Sequence, residues 1–114
     1  MEYKIHYMTL KREPYEAIEC GSKDIEMRLN DEKRQAVNVG DIIAFTNADS
    51  FEIIKVIVLN KHHFKSFDEL YKAFDKKRLG YSEHEIASPR DMEMYYPVDE
   101  IAKYGVVGIE IQLI

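Results

Sequence analysis

The polar residues that could act together are concentrated in one stretch, Gly21-Ser22-Lys23-Asp24-Ile25-Glu26-Met27-Arg28. Ile25, Met27 and Leu29 alternate with Glu26 and Arg28, which is the two-residue period of a strand. With the apolar set on the core, Glu26 and Arg28 project together from the other face. A guanidinium there can make forked bonds to a phosphate, carboxylate or carbonyl. A carboxylate beside it accepts from an amine such as a nucleobase NH₂. Lys23, just ahead of the strand, can swing over the same surface. The plain alternative is an exposed, salt-bridged strand face in which Lys23 and Arg28 lie outside the core.

These residues need elements to hold them. Residues 3–9 alternate as a strand with one polar face, and Pro14 suits the first turn of a short helix over 15–20 that Gly21 stops. Asn30-Asp31-Glu32 reads as a polar turn or loop. Val39-Gly40-Asp41 signals a turn into a strand at 42–45, and residues 47–50 look like a hairpin loop. Residues 51–59 carry apolar side chains on both faces, which predicts a central strand covered on both sides. Ser66-Phe67-Asp68-Glu69 is a capping box opening a helix that shares Leu70 and Phe74 on one face and ends at Gly80. Ser82 to Glu85 is another candidate cap. Ser88-Pro89 opens a short helix with Met92 and Tyr95 inward and Pro97 as its stop. Val107, Ile109, Ile111 and Leu113 alternate with Gly108, Glu110 and Gln112 in a last strand. Strands at both ends with helices between them predict a small α+β fold around a curved or closed sheet, in one domain over residues 1–114.

The chain has 114 residues, enough to bury about two-thirds of its extended surface in one core. With 46% hydrophobic and 32% charged residues it reads as neither disordered nor low in complexity. No apolar run approaches the ~18 residues of a membrane helix, and the first residues lack a signal core. A single cysteine, Cys20, cannot form an internal disulfide, so a cytoplasmic location is expected. The net charge of −5 argues against neutralising long duplex DNA. Residues 61–78 nonetheless carry six cations against three carboxylates. This is read as a solvated helix face of mixed charge, with a protein-docking basic helix as the alternative. CxxC and HExxH patterns are absent, so neither a metal nor another cofactor is expected.

Tyr15-Glu16-Ala17-Ile18, then Gly21-Ser22-Lys23-Asp24-Ile25-Glu26-Met27-Arg28, resembles the signature of the ASCH domains. Val39-Gly40-Asp41-Ile42-Ile43, Tyr96-Pro97 and Tyr104-Gly105-Val106-Val107-Gly108-Ile109 stand in the order that family shows, so the resemblance spans essentially the whole chain. It implies a PUA-like fold: a small mixed β-barrel with short helices at its rim and a cleft beside the lysine motif. It also implies a ligand, single-stranded RNA or a modified nucleoside or nucleotide. One branch of the family hydrolyses the acetyl amide of N4-acetylcytidine with a lysine, a threonine and a glutamate. Lys23 matches that lysine, Glu26 stands where the threonine is expected, and the glutamate falls at Glu83 or Glu85. Another member is described as a ribonuclease.

An amide hydrolase needs a base or nucleophile, an acid and an oxyanion donor. Lys23 serves as a base only if burial depresses its pKa, and Glu26 next door works against that. Binding is therefore the first reading, with Lys23, Glu26 and Arg28 as the floor and Tyr81 and Tyr96 as aromatic rim. Tyr81, Tyr95, Tyr96 and Tyr104 could stack a base, at about 1–3 kcal/mol each, though Tyr95 and Tyr104 are read first as closing the core. His62 and His63 point to opposite strand faces and form a polar strand end. His84 and His6 are expected to be solvated, and Cys20 to be a small core residue.

Overall fold

The computed structural model describes residues 2–114. Five strands form one mixed sheet in the order β1-β3-β4-β5-β2: β1 (Ile5–Leu10), β2 (Ile25–Leu29), β3 (Ile42–Asn47), β4 (Ile53–Phe64) and β5 (Val106–Leu113). β1 runs parallel to β3, and the other neighbours are antiparallel. The sheet curls into a half-barrel with β1 and β2 as its edges. A bulge between Val58 and Asn60 shifts the register of β4 on β5 and lets the longest strand bend. Two long side chains cap carbonyls along the outer edge of β1: Arg28 Nη2 donates to the Thr9 oxygen (3.2 Å) and Lys33 Nζ to that of Tyr7 (2.9 Å). Arg28 thus reaches from one edge strand to the other.

Four short α-helices decorate the rim: α1 (Arg12–Glu19), α2 (Glu32–Gln35), α3 (Phe67–Ala73) and α4 (Val98–Tyr104), with a 3₁₀ segment at Pro89–Met94. α2, for which the sequence offers only a polar turn or loop at 30–32, is one helical turn capped by the Asp31 side chain. α4 gave no periodic signal beyond Pro97, which acts as its N-cap rather than as a stop alone. Ser66 caps α3 by accepting from Glu69 N (3.3 Å), while the Glu69 carboxylate accepts from Lys65 N (3.2 Å). The helix ends at Ala73, not at Gly80, because Phe74 turns to extended backbone and packs edge-on against Phe64 and His62. Successive turns then lead to Gly80. The basic stretch 61–78 is accordingly part strand, part helix and part turn. Its cations are dispersed: Lys61 donates to the Arg34 carbonyl, Lys76 to the carbonyls of Glu83 and Glu85, and Arg78 pairs with Asp24.

Two apolar clusters lie on opposite sides of the sheet. Met8, Tyr15, Ile18, Ile43, Phe45, Val56, Val58, Val107 and Ile109 fill the concave side under α1. Ile25, Met27, Phe67, Leu70, Leu79 and Val106 form the second, under α3. β5 contributes to both clusters and is therefore covered on both faces. Gly108 reflects this: a Cβ there would lie 3.1 Å from Ile25 and 3.5 Å from Leu70. The expectation of double cover for β4 is corrected, since Ile53, Lys55 and Leu59 are exposed and only Val56 and Val58 are fully buried. Three other expectations fall. Tyr95 is 52% exposed, Cys20 is exposed, and His6 is half-buried against Asp41. No helix among the described residues is long and apolar enough to cross a membrane.

Candidate functional site

Register decides what the polar face of β2 meets. Glu26 pairs with Ile109 and Arg28 with Val107, so both side chains point to the concave side of the half-barrel. The alternation of β2 is as the sequence predicts, but its polar face is enclosed. Glu26 is 4% and Lys23 5% exposed, which corrects the expectation that Lys23 lies outside the core. Arg28 is less deeply buried.

Lys23 Nζ donates to the carbonyls of Ile25 and Leu79, both at 2.8 Å, and lies 3.4 Å from Glu26 Oε1. The other Glu26 oxygen accepts from Arg28 Nε at 2.7 Å. Three acceptors around one nitrogen require three N–H groups, so Lys23 sits as an ammonium. Burial pushes its pKa below the usual lysine value, with Glu26 pulling back part of the way. Burial alone would raise the Glu26 carboxyl, but the charges of Arg28 and Lys23 outweigh it and hold it low. Arg28, desolvated yet held by Glu26 and Tyr96, stays above the usual arginine value. The triad carries one net positive charge beneath the surface.

Above it opens a cleft of about 630 Å³, within the size range of small-molecule sites. Lys23, Glu26 and Arg28 lie on its floor, with Tyr81, Tyr95, Tyr96, Met92 and Met94 along the wall. Tyr96 stacks on Phe67 with centroids 6.1 Å apart and planes 17° off parallel, which braces its ring. Tyr81 donates to Asp91 Oδ2 (2.7 Å) and shares a hydrogen bond with Tyr71 (2.8 Å); burial and these partners raise its pKa. Gly80 lies against the Lys23 stem at φ +108°, and a Cβ there would sit 3.0 Å from Lys23 Cδ.

Of the two glutamates left open by the sequence, Glu85 lines the cleft and accepts from Ser82 N (2.8 Å). Glu83 does not line it and pairs with Lys77 on the surface. Tyr104 belongs to a separate shallow groove with His63 and donates to Glu32. His62 faces Glu110 instead (2.9 Å). Among the described residues no three histidine, cysteine or acidic side chains converge as a metal site. Lys11, Arg34 and Asp91 also line the cleft, and nothing in the sequence marks them: Lys11 precedes α1, and Arg34 sits in a helix of one turn.

A curled mixed sheet with short helices at its rim is a PUA-like fold. The chain belongs to the ASCH domain family, which it matches over residues 8–114. That family is regarded as RNA-binding. The crystal structure of hypothetical protein PH0355 is 33% identical, with a TM-score of 0.81 over 97% of this chain and 99% of that one. A solution NMR structure of a protein from Pyrococcus furiosus is 30% identical, with a TM-score of 0.74 over 96% and 97%. The ASCH protein of Zymomonas mobilis, 14% identical, shares the fold with a TM-score of 0.67 over 98% of this chain and 71% of that one. No curated protein is significantly similar to this chain.

Proposed function

We propose that the cleft over Lys23, Glu26 and Arg28 recognises a nucleoside unit, free or within single-stranded RNA, in a cytoplasmic protein. The observation that carries this reading is the Arg28 guanidinium. Its Nε is spent on Glu26, one Nη2 hydrogen on Thr9, and Tyr96 also hydrogen-bonds the group, which leaves two N–H groups beside the cleft. Such a donor array suits the carbonyl and ring-nitrogen acceptors of a base edge. Tyr81 and Tyr96 offer aromatic surface for stacking, Tyr96 from a braced position. Lys23 is better suited to holding the floor together than to proton abstraction, because all three of its N–H groups are engaged.

Titration calorimetry with the four ribonucleosides, N4-acetylcytidine and short single-stranded RNAs tests this. Arg28→Lys keeps the charge and removes the fork, and it should weaken binding at least tenfold. Unchanged affinity in that variant, or no binding by wild type, overturns the reading.

A second reading is amide hydrolysis of an acylated cytidine, favoured by the entry of Glu85 into the same cleft as the burial-depressed Lys23. Here Lys23 would first release its third ammonium proton to solvent and then act as base, with Glu85 as acid and Glu26 holding Lys23 in place. Chromatography of N4-acetylcytidine after incubation with wild type and with Glu85→Gln separates the two: release of cytidine by wild type alone establishes the hydrolase.

A further inference from the structure

We propose that the ligand enters this cleft as a phosphate ester, with Arg34 and Lys11 receiving the phosphate. This rests on the nucleoside reading of the cleft and names the anionic part of its ligand. Arg34 comes to the cleft from α2, where its Nη1 is spent on the two oxygens of Asp31, at 3.4 and 3.1 Å. Its Nε is buried and meets no acceptor among the described residues. The Nε–Nη2 edge of a guanidinium is the fork that fits two oxygens of a phosphate, and in Arg34 it is unspent. A buried N–H without an acceptor is costly, so an oxygen arriving there gains more than at a solvated donor. Neighbouring atoms cover Nε, so receiving a phosphate there requires the guanidinium to turn its Nε–Nη2 edge toward the cleft.

Lys11 adds an independent observation. Its ammonium lies over the Tyr95 ring, 5.1 Å from the centroid, rather than on a carboxylate. The acceptors of the cleft are in the opposite condition. Glu26 holds Lys23 and Arg28, Asp91 accepts from Tyr81, and Glu85 accepts from Ser82 N. Four cations and three carboxylates line the cleft of a protein whose net charge is −5. Donors are in surplus and every carboxylate is engaged, so the complementary ligand brings oxygen acceptors and negative charge. A neutral nucleoside answers Arg28 but leaves the Arg34 edge and Lys11 unused. A nucleotide, free or within a strand, answers all three.

Calorimetry compares each ribonucleoside with its 5′-monophosphate, with orthophosphate and with the dinucleotide UpU, on wild type, Arg34→Gln and Arg34→Lys. Circular dichroism melts check that the variants fold, and Arg34→Lys carries the test if Arg34→Gln does not. In wild type a monophosphate should bind at least tenfold more tightly than its nucleoside. That ratio should fall to within about threefold in Arg34→Gln and be only partly kept by Arg34→Lys, which retains charge without the fork. UpU binding as tightly as the monophosphates supports a phosphate within a strand, and weaker binding supports a free nucleotide. Equal affinities in wild type, or a ratio unchanged in the variants, overturn the phosphate inference and leave the nucleoside reading standing. Orthophosphate binding as tightly as a monophosphate also overturns it, since the base would then contribute nothing. Absence of binding by nucleosides, nucleotides and UpU alike overturns both.

Discussion

Asp41 and Glu26 are two enclosed carboxylates, 5% and 4% exposed, that do different work. Asp41 lies where β1 and β3 begin. It accepts from the main-chain N–H of Lys4 (3.1 Å) and of Asn38 (2.9 Å) and bonds the His6 ring (2.9 Å). Burial alone would raise its pKa, but His6 and the two amides outweigh it and pull it down to about 2. Neither Asp41 nor His6 lines the cleft over Lys23 or the groove at His63. Glu26 instead holds only side chains, Lys23 and Arg28, and these open on a cleft. A carboxylate satisfied by main-chain amides pins the chain in place. One satisfied by side chains with donors to spare organises a surface for something else. The difference lies in what the partners still have to offer, not in the depth of burial.

The contrast can be broken first at Glu26. Glu26→Gln leaves Lys23 and Arg28 as two enclosed cations without their shared anion, and stability should fall by about 3–5 kcal/mol in urea unfolding. A loss below 1 kcal/mol would mean that the triad is solvated rather than mutually dependent. Asp41→Asn should cost about 2 kcal/mol, the worth of hydrogen bonds to a charged group, and leave ligand affinity unchanged. The sign of its pH dependence follows from the lowered pKa. The stabilisation is present above the ordinary aspartate value near 4 and is lost as pH falls toward 2. The gap between wild type and Asp41→Asn should therefore narrow over that window in unfolding curves taken at successive pH values. A constant gap would assign the effect to packing instead.

Gly80→Ala tests the wall of the cleft rather than its floor. Its φ of +108° disfavours any side chain, and the new Cβ would press on the Lys23 stem. A cost of about 1–2 kcal/mol is expected, together with weaker ligand binding, whereas a stability loss with full affinity would confine Gly80 to a turn role. The smallest effect should come from Lys77→Ala. It removes a solvent-exposed pair with Glu83, and thermal melts should show a change within about 0.5 kcal/mol. A larger loss would show that the 81–88 segment depends on that pair.

Much of this molecule was legible in its residues. The strands of β1, β2 and β5 follow from alternation, β3 from the turn signal at Gly40-Asp41 ahead of it, the central place of β4 from its apolar run, and the 3₁₀ turn from Ser88-Pro89, with Ser88 accepting from Arg90 N. α2 and α4 were not legible, because one or two turns offer too few residues for a helical period to declare itself. The grouping of Lys23, Glu26 and Arg28 was visible as spacing. The contributions of Leu79, Gly80, Lys11 and Arg34 were not, since Leu79 and Gly80 arrive from a distant segment and Lys11 and Arg34 sit on other elements that no periodicity marks.

By itself the sequence determined that Glu26 and Arg28 share a face, that Lys23 stands at the head of their strand, and that a sheet carries them. Local periodicity suffices for that, because a strand alternates whatever it packs against. Only the tertiary structure decided which side that face would meet. The register of β2 on β5 and the curl of the sheet turn it inward, where Arg28 reaches the Thr9 carbonyl on the far edge strand. The Leu79 carbonyl then closes over Lys23 from 56 residues away. What alternation leaves as an exposed charged face becomes an enclosed one, since sheet curvature and long-range packing, not spacing along the chain, determine where water is excluded.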